Sequence, residues 1–489
     1  MNMPRDASPI AGILAAVLVG SCTVGPDFHR PAAPEVTDYT ATPPRTTAET
    51  PTVVAGDAQR FVAGEDIRAE WWTLFQSPAL NALVERALAA NHDIKAARAA
   101  LTVAHETVLA QRGAYYPSVT AAFSASRSKT SEELAPTPNS GAFYYSLFTP
   151  QLTVAYAPDV FGLNRRTVEA LQAQEQQTRF ELAAAQIALS ANVVAGAIQE
   201  ASLRAQIQAT QSLIDSNMRA LAVLRQQQAK GYATRLDVAA QEAQLAQVAA
   251  TLPQLRKQLA QQRDLLAALS ASFPSQGPPE EFDLAHLQLP VELPLSLPSK
   301  LIEQRPDVRQ AEENLHAASA QIGVAVANRF PNIVLSADIG QSALALRDLF
   351  SGTNTFWDVG VGVTQPIFQG GMLLHKERAA RAAYEQANEQ YRSAVLAAFQ
   401  NVADTLNALQ HDADALRASA AAVEAAHTTL ALVETQQRAG YANYLQLLTA
   451  EQVYQQALLG QVQAQANRFA DTAALFLALG GGWWNEQRP

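Results

Sequence analysis

The chain has 489 residues, a net charge of −10 and a single cysteine. Length alone would fit roughly three domains. The acidic balance argues against a nucleic-acid partner, which needs clustered Lys and Arg, and one cysteine excludes an internal disulfide framework or a Cys-rich metal site.

The cysteine is informative by its position. Ile10 to Gly20 is an apolar run of about eleven residues, too short to span a bilayer as a helix but right for a signal-peptide core. It ends in Val19-Gly20-Ser21-Cys22, small residues before a cysteine, as signal cleavage and lipid attachment require. Residues 1–21 are therefore expected to be a lipoprotein-type signal peptide and Cys22 the lipid-attachment site. An ordinary signal peptide with an incidental cysteine would read alike. No later segment reaches the ~18 uninterrupted apolar residues of a transmembrane helix, so any crossing would be made by strands.

Residues 22–70, rich in Pro, Thr and Ala, read as an extended tether. Trp71-Trp72-Thr73-Leu74-Phe75 opens the folded part, and a helical run from Pro78 to about Gly113 is interrupted at Asn91-His92-Asp93, where Asp93 is the expected helix cap. Two strands follow, at about 117–127 and 149–157, alternating apolar with small or polar residues and bounded by Pro117, Pro150 and Pro158. Period two with one oily face over about ten residues is the outer-membrane strand pattern, although a soluble hairpin looks similar.

A helical hairpin spans about 163–271, broken once at Lys230-Gly231-Tyr232-Ala233-Thr234. Phe180, Ala184, Ile187, Ala191, Val194 and Ile198 form an apolar coiled-coil seam before the break, and Val238, Leu245, Leu252, Leu259 and Leu266 recur every seven residues after it. Gly231 suits the left-handed conformation that ends one helix, and Thr234 can cap the next. At 1.5 Å per residue the first arm would be about 100 Å long, which no compact soluble domain needs. Pro253, inside the second arm, removes one helical hydrogen bond, either setting a bend or merely being tolerated. A Pro-rich linker occupies 272–298, and a helix is expected from about 299 to 329.

The pattern then repeats. Strands are expected at about 331–340 and 356–366 and a second hairpin at about 372–478, before a tail at 480–489 that opens on the helix-stopping glycines 480–482. Gln436-Gln437-Arg438-Ala439-Gly440-Tyr441-Ala442 echoes Gln227-Gln228-Ala229-Lys230-Gly231-Tyr232-Ala233. Asn91-His92-Asp93 and Pro117 sit about 214 residues before Arg305-Pro306-Asp307 and Pro331. The expectation is an internal duplication with repeats at 71–298 and 299–479. The fold class is mainly α with membrane β: coiled helices below four strands. Four strands cannot close, and an open edge in lipid leaves backbone groups unpaired. Three chains give twelve strands with room for a channel.

At this level of detail the chain resembles the TolC-like outer membrane efflux proteins of the lipoprotein branch, of OprM or NodT type. The markers are Cys22 to Pro31, Trp71-Trp72 through Asn91-His92-Asp93-Ile94, Leu297-Pro298-Ser299-Lys300-Leu301-Ile302-Glu303-Gln304-Arg305-Pro306-Asp307-Val308, Leu252-Pro253-Gln254-Leu255 and Ala478-Leu479-Gly480-Gly481-Gly482-Trp483. Gln304 departs, standing where the family often has Arg. The resemblance implies a homotrimer with a twelve-stranded barrel among outer-membrane lipids and a twelve-helix barrel through the periplasm. It also implies a periplasmic adaptor and an inner-membrane pump of RND type as partners, with no cofactor, metal or catalytic residue.

On that resemblance the tips around Gly231, Tyr232, Ala233, Gly440, Tyr441 and Ala442 would meet the adaptor, while glycine and tyrosine there also simply terminate helices. Asp237 matches an aspartate that ties closed tips together, with Arg235 or Arg438 as its partner; a helix-start aspartate favoured by the dipole reads the same. Gln446 and Thr449 stand where some relatives carry constriction aspartates, which puts an acidic ring in doubt. The implied function is passive efflux, against which stand a protein-secretion duct and a lipid-anchored spacer without a pore.

Overall fold

A computed structural model describes residues 23–131 and 144–485, so the expected signal peptide and Cys22 lie outside the described residues. Its helices are α1 (Pro78–Ala90), α2 (His92–Arg112), α3 (Leu163–Ala229), α4 (Arg235–Leu269), α5 (Pro298–Gln304), α6 (Pro306–Ala327), α7 (Met372–Arg438) and α8 (Tyr444–Ala478). Its strands are β1 (Arg60–Ala63), β2 (Ser118–Lys129), β3 (Tyr144–Tyr156), β4 (Glu292–Leu295), β5 (Asn332–Gln341) and β6 (Thr355–Thr364). Two compact units divide the chain, each drawing on both halves of the sequence. Of the described residues, one takes 23–30, 101–131, 144–178 and Ala311–Tyr391, the other Pro31–Ala100, Arg179–Gln310 and 392–485.

The first unit carries an antiparallel sheet in the order β2-β3-β5-β6. Register puts the apolar residues of all four strands in rows: Val119 opposite Val154, Val154 opposite Ala337, and Ala337 opposite Val359. Phe123, Trp357, Val359, Val361 and Val363 on this face are more than half exposed. The opposite face carries small and polar residues such as Thr153, whose hydroxyl bonds Asp338. Pro150 does not bound β3 as its position in the sequence implies; it lies within it, opposite Phe123. The ladder to β5 starts only at Gln151, so the missing proline N–H costs no bond there.

Where β3 leads into α3, Asp159 accepts from the backbone N–H groups of Asn164 and Arg165 at 2.9 and 2.8 Å. Residues 23–30 lie across the same place. The buried Arg166 donates to the Val24 and Gly25 carbonyls and to Asp27, and Phe28 stacks on His316 at 4.4 Å. Gly25 has φ 97°, and a Cβ on it would fall 2.4 Å from the Gly323 Cα, so no other residue fits.

The second unit is built on aromatic and aliphatic packing: Trp71 stacks on Phe476 at 5.1 Å, with Phe75 and Phe469 beside them. The Pro-rich stretch before Trp71 is more than a spacer, because β1 pairs in parallel with β4 from the linker. Gln59 fixes that pair to α8 through the Pro290 carbonyl and the Thr472 hydroxyl, both at 3.0 Å. Arg468, fully buried, donates to the Ala55 and Asp57 carbonyls and to Thr47. Two local expectations are corrected here. The cap of α2 is Asn91, not Asp93: the Asn91 side-chain oxygen accepts from the N–H groups of Asp93 and Ile94 at 2.8 and 3.2 Å. The helix expected over 299–329 is two, because Arg305 is extended ahead of Pro306 and its guanidinium turns to the Ala478 carbonyl at 2.8 Å.

One stretch of α3 is long and apolar enough to cross a membrane, yet 56% of it is buried within the protein, which marks a core helix.

Candidate functional site

The chemistry-bearing residues singled out in the sequence converge on the two hairpin tips, in the second unit. At the first, Gly231 takes φ 79° and the Tyr232 N–H donates back to the Gln227 carbonyl at 2.9 Å. At the second, Gly440 takes φ 81° and the Tyr441 N–H donates to Gln436 at 2.8 Å. Both turns thus close through a left-handed glycine. Tyr232 and Tyr441 are 83% and 87% exposed, so neither ring is spent on packing within the chain. Ala233 and Ala442 follow them and are half-buried.

Each returning helix opens on a capping box. Thr234 accepts from the Asp237 N–H at 3.2 Å while the Asp237 carboxylate accepts from the Thr234 N–H at 2.8 Å. Asn443 and Gln446 repeat this geometry at 3.0 and 2.8 Å. Asp237 and Gln446 therefore occupy equivalent posts, one charged and one neutral. Arg235 begins α4 at the surface, and Arg438 bonds the Glu434 carbonyl of its own helix at 3.2 Å. Thr449, exposed, bonds the Leu445 carbonyl and borders a groove of about 370 Å³ between α7 and α8, lined by Thr429, Val433, Leu445, Gln446 and Val453.

A polar seam joins the two hairpins just behind the tips, and the sequence reading missed it. Gln241, fully buried, donates to the Asn217 side-chain oxygen at 2.9 Å and accepts from the Tyr444 hydroxyl. Gln452 donates to Gln244 at 2.6 Å. Tyr444 also packs against Leu221, Leu224 and Val238. The signal was available for Gln241, which lies three residues, about one turn, on from Val238 on the seam side of the helix. Next to this seam burial pushes the Glu451 carboxyl up to about 7, reinforced by the charge of Glu434. Burial and Asp237 and Glu451 raise the Tyr444 phenol in the same way. Farther along the hairpin, Asp412 is also pushed up to about 7, by burial first and then by the hydrogen bond and charge of Asp471, against the pull of Arg468. Among the described residues no group of three His, Cys, Asp or Glu side chains is arranged to hold a metal ion.

Two long hairpins, a sheet with an oily face and polar tips are the parts of a duct, and the comparisons agree. The family model for outer membrane efflux proteins matches residues 83–272 and 297–481. The chain belongs to this family. The efflux protein is 29% identical over 433 residues to the pyoverdine export outer membrane protein OpmQ of Pseudomonas aeruginosa, covering 86% of this chain and 89% of that one. With the outer membrane protein OprJ of the same species it shares 28% identity over 487 residues, covering 98% and 97%. The solved structure of the outer-membrane channel OprN superposes with a TM-score of 0.84 at 27% identity, covering 94% of this chain and 100% of that one. The efflux protein resides in the outer membrane and serves as an exit channel of a tripartite efflux system.

Proposed function

We infer that this efflux protein works as a homotrimer, its three four-stranded sheets closing a twelve-stranded barrel and its helices a twelve-helix barrel. The observation that carries this reading is the sheet itself: an exposed apolar face flanked by two edges, β2 and β6, without a partner strand among the described residues. Such edges are untenable in lipid, and twelve strands satisfy them while leaving a lumen. Matched element lengths support an internal duplication: α3 and α7 have 67 residues each, α4 and α8 have 35 each. The duct is passive, carries out no catalysis, and is driven by an inner-membrane pump of RND type through a periplasmic adaptor.

Gly231, Tyr232, Ala233, Gly440, Tyr441 and Ala442 are the proposed adaptor contacts. Asp237, Arg235, Arg438, Gln446 and Thr449 form the rim of the gate, and Cys22 carries the lipid. Relatives named for export of pyoverdine, toluene and antibiotics support small organic compounds as cargo. Deleting the gene should raise intracellular accumulation of a fluorescent dye and sensitivity to a panel of small toxic compounds, and complementation should reverse both. Unchanged accumulation and sensitivity in a strain lacking other ducts would overturn the efflux reading.

A further inference from the structure

The two halves of the chain correspond closely enough to fix a contact that a single chain does not contain. One offset carries Leu163 onto Met372, Ala229 onto Arg438, Arg235 onto Tyr444 and Leu269 onto Ala478, the ends of all four long helices. The same offset carries β3 onto β6, Ala155 onto Thr364. A second offset carries β2 onto β5, Ser118 onto Asn332, and keeps apolar Val119 on apolar Ile333. The structure checks both offsets. Applied to the β2–β3 pairs Ser118–Ala155 and Val119–Val154, they return Asn332–Thr364 and Ile333–Val363, which are pairs of the β5–β6 ladder.

The β3–β5 ladder joins the end of the first half to the start of the second. Its counterpart must join β6, at the end of the second half, to the β2 of another copy, and both of those edges lack a partner strand among the described residues. We propose that β6 pairs antiparallel with β2 of a neighbouring copy in the register transposed from β3–β5, with Val363 opposite Phe123, Val361 opposite Ala125 and Gln365 opposite Ala121. The source pairs are Val154–Ala337, Leu152–Ile339 and Tyr156–Leu335. The register continues the oily face without a break, since odd-numbered residues of β6 meet odd-numbered residues of β2. A slip of one residue would turn the whole face over; a slip of two would keep the faces and is the real competitor. On the inner face the transposition sets Gly362 against Ser124, where the chain's own seam has Thr153 bonded to Asp338. The seam between copies therefore lacks that polar clasp, and the backbone ladder and oily face hold it.

This inference rests on the trimeric-barrel reading, and cysteine cross-linking in isolated outer membranes separates the two. The pair Val363→Cys with Phe123→Cys should give covalent dimers and trimers that vanish on reduction. The slipped pairs, Val363→Cys with Ala121→Cys or with Ala125→Cys, should give little, and each single variant controls for links through Cys22. Val154→Cys with Ala337→Cys should close within one chain and report a folded sheet. Stronger linkage in a slipped pair, or no linkage in any pair of a protein that runs as a native trimer, would overturn the register and leave the trimer standing. A closed within-chain link in a protein that never forms trimers would overturn both.

Discussion

Tyr444 and Glu451 illustrate how few side chains separate a coiled-coil tip from a controllable one. The Tyr444 hydroxyl on Gln241 is a bond between the two hairpins of one chain. Tyr444→Phe should remove about 1 kcal/mol of tie per chain and leave a buried Gln241 acceptor without its donor. The variant should show a higher open probability in planar bilayers and leave trimer yield unchanged. Glu451 acts with the opposite sign. Its carboxyl is pushed up to about 7 in the folded chain against about 4.3 in an unfolded one, so the folded state binds the extra proton. Stability therefore falls as pH rises through that window and is lowest above about 7. Glu451→Gln should melt higher than the parent at pH 8, with the difference closing towards pH 4. A pH-independent difference would remove the titration from the account. Neither residue stood out in the sequence, where a tyrosine and a glutamate on a polar helix are unremarkable. What distinguishes them is burial, and burial at a seam between two hairpins far apart in sequence is not a local property.

The elements themselves were more legible, since period and punctuation are local. A heptad seam, a glycine and a capping residue place the first hairpin turn, the echoed motif around Gly440-Tyr441 places the second, and alternation places four strands to within a few residues at most ends. Errors fell where a side chain answers to tertiary surroundings. Asn91, which also reaches the Leu269 carbonyl at 3.0 Å, caps α2 in place of Asp93. Arg305 breaks a helix because the end of α8 offers it a carbonyl. The segment at 23–30 has the composition of a tether and is instead held by Arg166, Gly323 and His316. Arg166→Met removes the bonds to the Val24 and Gly25 carbonyls and should loosen that segment by about 1–3 kcal/mol, with little added by the pair to Asp27, whose carboxylate faces solvent. Limited proteolysis of the purified protein should then cut ahead of residue 31, where the parent resists. His316 adds to the hold: the Glu313 hydrogen bond raises its imidazole, burial opposes this, and Glu169 helps. That contribution is complete below the usual histidine range and is lost as pH rises through the raised value.

For the molecule as a whole, four strands set the terms. A lysine on the oily face should be tolerated by an isolated chain and penalised in lipid. Val361→Lys should cost about 2–4 kcal/mol per chain if the residue sits near the bilayer midplane, read as loss of heat-resistant oligomer on semi-native gels, while Gly360→Ser on the inner face should be near neutral. The number of chains could be argued from the sequence only by exclusion, because closure is a property of several copies and no single chain encodes its partner's position except through its own internal repeat.

Asp237 and Gln446 hold the same geometry with different charge, so a ring of three chains would offer six sockets of two alternating kinds, anionic and neutral. A docking partner with six identical fingers could not treat them alike, and rotating it by one finger would exchange every match for a mismatch. In the proposed trimer, leaving one carboxylate out of each pair would turn a rim of near-sixfold symmetry into a keyed one, with three equivalent seatings instead of six.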